Sequence, residues 1–387
     1  MSRPAALLSL AASCLLLAQQ FFASACLAQS ALMPQSANSW PEADRLFHSD
    51  PLWLGGDAAF SVDLGKGRVL WLFGDSFVAR EPGQKRSDCR MVRNSLALEK
   101  GYEPSTAEMK FYWRKNEDGQ AQSFFPEHKD RWLWPMHGVR LADKLLLIYS
   151  VIGPNPVVSA GAFAFQIIRS TAFLITNPDD EPDRWQYREL ALPANPWHLN
   201  IGVSALLGHD FVYLFAFDEP KHDVYLARLR AKEAEHGLCS NLEWWCGDKR
   251  WLKQSFMIPR GKMVMECAKN SPTRVFEGGS TEFSVQWNAA GHKFVEVQSS
   301  GFGASHITMR TADQLIGPWS EAKEIFVPPE SREREPFVYS GKAHPELRGD
   351  ELVITYATNG SEKRLAEDMS IYFPRFVRCR LHGPVSP

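Results

Sequence analysis

Short runs of apolar and aromatic residues recur along the whole chain, broken by Gly, Pro, Asn and Asp, and 3.6-residue spacing is scarce. The best helix-like stretch is "LARLRAKEAEHG", from Leu226 to Gly237. The chain is therefore predicted to be mainly β. Within this pattern one unit repeats: a short strand, a tight turn, then a second strand rich in apolar and aromatic residues. Its instances are "GGDAAFSVDLGKGRVLWLFGD", "WPMHGVRLADKLLLIYS", "NIGVSALLGHDFVYLFAFDE", "TEFSVQWNAAGHKFVEVQSS" and "KAHPELRGDELVITYATN". The third is the weakest match.

Aligning the polar or small residues that open the first strand of each unit gives Asp57, His137, Asn200, Glu282 and His344. Their mean separation is about 72 residues, room for four strands and their loops. Such units fill residues 51–387 and predict an all-β chain folded as a five-bladed β-propeller, with the first strand of each blade lining the axis. A β-sandwich, or four blades with an irregular segment, is the alternative. "FVRCRL", residues 376 to 381, reads as a strand that closes the ring beside an N-terminal one.

In this register, side chains remote in sequence share one pocket. Two openers are acids, Asp57 and Glu282, and two are imidazoles, His137 and His344. In "LWLFGDSFVA", Asp75 follows an apolar run in which only Gly74 makes room. Arg93 and Asn94 begin the following strand, where a guanidinium neutralises a carboxylate or holds a substrate hydroxyl. Trp134 adds an aromatic face beside His137. The candidate catalytic residues are thus Asp57, Asp75 and Glu282; Arg93, Asn94, Trp134, His137, Asn200 and His344 are candidates for substrate binding.

Two or three carboxylates in one aromatic-lined cleft suit glycoside hydrolysis, which needs an acid for the leaving oxygen and a base or nucleophile on the other side of the ring. A third carboxylate can raise the acid's pKa by repulsion. Structural roles compete with this. An Asp after Gly at a strand edge is commonly a turn or cap residue, and either histidine can be a hydrogen-bonded core residue. Glu282, between Thr281 and Phe283, is costly in an inner strand unless it is paired.

Bulk properties narrow the classes. With 43 basic and 45 acidic residues the chain has no polyelectrolyte character, which argues against nucleic-acid partners. Its 13 Trp and 24 Phe suit both β cores and platforms for sugar rings. Residues 1–28 read as an export signal, with Arg3, an apolar stretch and small residues at the end. Cleavage before Cys26 would allow a lipid anchor, the only membrane attachment expected; cleavage after Ala28 would release a soluble, periplasmic or extracellular monomer. Residues 29–50 are expected to be a linker.

Five cysteines remain beyond the leader, Cys89, Cys239, Cys246, Cys267 and Cys379, an odd number that speaks against a full disulfide framework. Cys239 and Cys246 can close a local loop if oxidised. No C-x-x-C pair or H-E-x-x-H helix calls for a metal. No cofactor is predicted; the one metal reading is a central divalent cation such as calcium, with His344-Pro345-Glu346 helping to hold it.

At "WLGGDAAFSV", "LWLFGDSF", "VRNSLAL", "WPMHG", "GPWS" and "KAHPEL" the sequence resembles a bacterial domain family of formerly unknown function whose characterised members are endo-D-arabinanases. That family is similar in turn to five-bladed propeller hydrolases acting on arabinan and fructan. The likeness spans about residues 50 to 380, with no counterpart for "CSNLEWWCGDKRW". The resemblance implies a glycosidase of a furanose-containing or other bacterial surface polysaccharide, with Asp57 as base or nucleophile, Asp75 as partner acid or pKa modulator, and Glu282 as general acid. A glycan-binding propeller without catalysis, or an envelope lipoprotein, is the alternative.

Overall fold

A computed structural model describes residues 32–382, apart from 159–163, 194–195, 255–270, 302–304, 334, 336 and 348–350. The leader expected at 1–28, with Cys14 and Cys26, lies outside the described residues, as does Cys267.

The chain is all-β in architecture. Each repeated unit forms a hairpin, and each hairpin extends into an antiparallel sheet. Sheet I contains Phe60–Gly65, Arg68–Phe73, Ser95–Lys100 and Glu108–Tyr112. Sheet II contains Trp132–Leu141, Lys144–Pro154, Phe165–Ile175 and Tyr187–Ala191. Sheet III begins with Asn200–Gly208, Phe211–Phe217 and Val224–Arg230, and sheet IV contains Phe283–Asn288, Lys293–Ser300, His306–Ala312 and Lys323–Phe326. Sheet V contains Phe337–Ala343, Glu351–Asn359, Arg375–His382 and, out of chain order, Met33–Ser39. The tight turns carry the backbone that the turn residues suggest. Gly65, Lys66 and Gly67 have φ of 77°, 57° and 76°, and Ala142, His209 and His292 take φ of 42°, 50° and 47° in the matching turns.

The third unit, the weakest repeat in sequence, has its hairpin and the most strands. Glu243–Trp245 and Trp251–Lys253, from the segment without a counterpart, add to sheet III, and Arg274–Phe276 pairs with Val224–Arg230. The helix expected over Leu226 to Gly237 is a correction. Val224–Arg230 is a strand held by Phe211–Phe217, and only Ala231–Glu235 is helical. Ladder pairing and burial of Leu226 and Leu229 outweigh helix propensity there. Cys239 and Cys246 are buried free thiols.

The linker expected at 29–50 is also corrected. Met33–Ser39 pairs with the C-terminal strand and thereby completes sheet V, the closure that "FVRCRL" suggested. Trp40, Ala43, Leu46 and Phe47, which follow, are buried against Trp71, Phe73 and Phe376.

Consecutive sheets pack face to face, so the cores lie between them. Phe60, Leu72, Phe125 and Tyr149 join sheets I and II; Ile148, Ile201, Phe215 and Phe283 join sheets II to IV; Val297, Ile307, Val338 and Ile354 join sheets IV and V. Strands covered on both faces read as unbroken apolar runs, which is why Arg68–Phe73 delivers Asp75 out of a buried layer.

Hydrogen bonds tie the inner strands in cyclic order. His137 Nε2 lies 3.0 Å from the Ser61 carbonyl, and the Ala205 amide donates to His137 Nδ1 at 2.9 Å. The Val285 amide donates to Ser204 Oγ and the Ala343 amide to Ser284 Oγ. His344 Nδ1 lies 2.5 Å from Ser61 Oγ and returns sheet V to sheet I.

Candidate active site

A small antiparallel sheet sits on the end of sheet I: Trp53–Gly56, Ser76–Val78 and Arg90–Val92. The chain crosses from one sheet to the other three times. Asp57, Asp75 and Arg93 lie at those crossings, beside Gly56, Ser76 and Val92 respectively. The crossings are tight. Ala58 and Ala59 have φ of 65° and 51°, and a Cβ on Gly74 would come within 2.5 Å of Asp57 Oδ1. Gly74 makes room for the carboxylate of Asp57 and not only for its own neighbour.

Each carboxylate has a different set of partners. Asp57 Oδ2 accepts from the Tyr339 hydroxyl at 2.7 Å and lies 3.3 Å from that of Tyr372. Asp75 accepts from Arg93 Nη1 at 2.8 Å and from Trp134 Nε1 at 2.8 Å. Glu282 Oε2 accepts from Ser340 Oγ at 2.5 Å and from Lys342 Nζ at 2.9 Å. The side chains of Asp75, Arg93 and Glu282 stay 17%, 29% and 22% exposed, so solvent reaches the pairs.

Burial raises the Asp57 pKa to about 8; repulsion from Asp75 and Glu282 adds to this, and the two phenols oppose it. Burial also raises Asp75, against the pull of Arg93 and Trp134. Tyr339 and Tyr372 are pushed well above the ordinary phenol range, first by burial, and remain protonated donors.

Lys342 is buried in the seam between sheets V and I. Its ammonium donates to Glu282, to the Ser340 carbonyl and hydroxyl, and to the Ala58 carbonyl, and lies 4.4 Å from the Phe60 ring centroid. Burial lowers its pKa and the Glu282 carboxylate raises it.

The other residues named from sequence fall into two groups. Trp134 belongs with Asp75, with Phe165 edge-on to it at 4.7 Å. Asn94 is a correction. It is fully buried, its amide nitrogen donates to the Phe125 and Leu133 carbonyls, and its oxygen accepts from the Phe125 amide, so no group is left for a sugar hydroxyl. His137 and His344 are corrected likewise. His137 bridges sheets I to III with both ring nitrogens, and burial pushes it down to about 4. His344 lies between Ser61 Oγ and Thr355 Oγ1, 1% exposed, with neither nitrogen free for a central cation. Among the described residues no group of three or more His, Cys, Asp or Glu is arranged to hold a metal. Asn200 is buried at the start of its strand, paired through its backbone with Phe217.

The alignment of openers therefore mixed two levels of the axis. His137 and His344 share the level of Ser61, whereas Asp57 and Glu282 lie just before the strands that carry the Ser61 and Ser284 links. Tyr339, Tyr372 and Lys342 were missed. Starting the fifth unit a few residues earlier, at "FVYSGKA", would have brought Tyr339 into view; Lys342 opens "KAHPEL" itself and was passed over for His344, and Tyr372 has no repeat signal.

Among solved structures, a presumed hydrolase from Bacteroides ovatus ATCC 8483 shares the fold with a TM-score of 0.66 at 20% identity, covering 90% of this chain and 93% of that one. The GH43 BlXynB protein of Bacillus licheniformis matches at TM-score 0.42 and 9% identity over 89% of this chain and 54% of its own. The GH43_1 enzyme of Xanthomonas citri, complexed with xylotriose, matches at 0.43 and 11% over 90% and 95%. No curated protein matches the sequence. Residues 42–381 match the family model described as Domain of unknown function (DUF5005), and the chain belongs to that family.

Proposed function

We propose that the protein is an exported glycoside hydrolase built as a five-bladed β-propeller, acting at the Asp57, Asp75 and Glu282 cluster on a furanose-containing or other bacterial surface polysaccharide, D-arabinan-like by the resemblance of its motifs. One observation carries the reading. Carboxyls from sheets I and IV meet beside one dipeptide of sheet V, and the central one is pushed into the range of a proton donor near neutrality. The cyclic contacts of five sheets support the propeller, and Trp134, Arg93 and Phe165 offer an aromatic and cationic wall for a sugar.

The test is release of reducing sugar from a panel of arabinans, galactans and fructans by wild type, Asp57→Asn and Glu282→Gln. Loss of about 10²-fold or more in both variants is expected; turnover unchanged in both removes the assignment. A second reading, glycan binding without turnover, is favoured by the cationic partners already held by Asp75 and Glu282. It predicts saturable binding to the same panel with no product. Export and anchoring are checked by lipid labelling of wild type against Cys26→Ser.

A further inference from the structure

Three carboxyls meet two cations in this cluster. Asp75 has Arg93 and Glu282 has Lys342, while the hydrogen bonds to the Asp57 side chain, among the described residues, come only from the neutral hydroxyls of Tyr339 and Tyr372. One proton would bring the cluster to electrical balance, and the carboxyl with no cation hydrogen-bonded to it is the place for it.

Resting on the hydrolase reading, we propose that Asp57 is the general acid and Glu282 its ionised partner, with Lys342 as the positioning residue that makes this division. This reverses the roles implied by the resemblance. In the reaction the Asp57 proton passes to the leaving glycosidic oxygen as the bond from that oxygen to the anomeric carbon breaks. If Glu282 acts as base, it takes a proton from the water whose oxygen bonds to that carbon; solvent then reprotonates Asp57 and deprotonates Glu282. If Glu282 attacks directly, the Asp57 carboxylate takes the proton of the water that later displaces it, and Asp57 is reset.

The surroundings agree from every side. Asp57 faces Asp75, Glu282, Tyr339 and Tyr372, with the Lys342 ammonium near but not bonded to it; Glu282 faces Ser340, Lys342 and Asp57; Lys342 faces Glu282 and Asp57, with His137 and His344 close enough to feel its charge. Both histidines are driven neutral by burial and add no competing cation. Lys342 also bonds the Ala58 carbonyl, beside Asp57, so one ammonium spaces the acid against its partner.

The experiment is a pH titration of the chain labelled with ¹³C at the aspartate carboxyls, followed by NMR, for wild type, Asp57→Asn, Glu282→Gln and Lys342→Met. An aspartate midpoint near 8 that vanishes in Asp57→Asn and falls in Glu282→Gln is expected. In Lys342→Met the Asp57 midpoint should fall, because Glu282, deprived of its cation, takes the proton instead. Simple loss of a nearby positive charge would raise that midpoint, and a rise overturns the role of Lys342. Absence of any aspartate titrating near 8, or survival of that midpoint in Asp57→Asn, overturns the placement of the proton, even if Lys342→Met does not fold. Wild type that releases no sugar from any substrate defeats the hydrolase reading alone, since the titration needs no turnover.

Discussion

Tyr339 and Ser340 are consecutive residues that hold opposite members of the carboxyl pair, the Tyr339 hydroxyl bonding Asp57 and the Ser340 hydroxyl bonding Glu282. In a regular strand their side chains would point to opposite faces. A register shift between Tyr339 and Lys342, with Ser340 at φ 61°, lets both reach the carboxyl pair. Ser340→Ala removes the donor to Glu282 and should lower kcat/KM about tenfold to a hundredfold, from roughly 1 to 3 kcal/mol of lost bonding. Ser340→Gly should lose as much activity with a smaller drop in melting temperature, because glycine tolerates this φ. Kinetics beside thermal melts check the pair.

Gly74→Ala tests the space behind Asp57. The new methyl would meet Asp57 Oδ1, while Oδ2 of the same carboxylate is held by two tyrosines, so the carboxylate must shift. Activity should fall by at least about tenfold, the equivalent of roughly 1.4 kcal/mol. An unchanged kcat/KM would show that the carboxylate has freedom that the geometry denies.

Glu99 gives a pH dependence away from the site. Burial raises its pKa to about 8, the Trp71 indole opposes this, and Glu346 adds repulsion. The folded chain therefore holds a proton that the unfolded chain, with an ordinary glutamate near 4.3, gives up earlier. Stability from this group is full below about pH 4 and is lost as pH rises toward 8. Glu99→Gln should melt close to wild type at pH 5 and above it at pH 9, by an amount on the order of a few kcal/mol. Parallel slopes of the two proteins between those pH values would contradict the burial argument.

The N-terminal segment should be indispensable for the fold. Phe47 is fully buried between Trp71, Phe73 and Phe376, so Phe47→Ala should cost about 3 to 5 kcal/mol. A chain starting at residue 51 would also leave the edge of Arg375–His382 unpaired. Denaturant unfolding of both variants measures this.

Asn94→Ala separates a structural residue from a substrate contact. Three buried bonds join it to the Phe125 and Leu133 backbone. The variant should lose about 2 to 4 kcal/mol of stability, with KM little changed where the protein remains folded. A selective rise in KM at unchanged stability would restore it to the proposed sugar site.

Short apolar and aromatic runs and turn residues by themselves determined the hairpins, the all-β class and the pairing of the last strand with an early one, because strand and turn preferences act within a few residues. The acids Asp57, Asp75 and Glu282 were legible too, since a charge beside an apolar run is costly without a purpose. Only the tertiary structure decided the levels along the axis. Bulges at Pro135/Gly138, Ile201/Ser204 and Tyr339/Lys342 shift three inner strands while Phe283–Asn288 pairs without a shift, and no repeat of residue types reports this. Those shifts placed His137 and His344 in the interstrand ring, brought Tyr339 onto Asp57, and set the Lys342 ammonium against Glu282, while Tyr372 reaches Asp57 from the segment before Arg375–His382. Charge pairing depends on distances across sheets, which the order of residues does not contain.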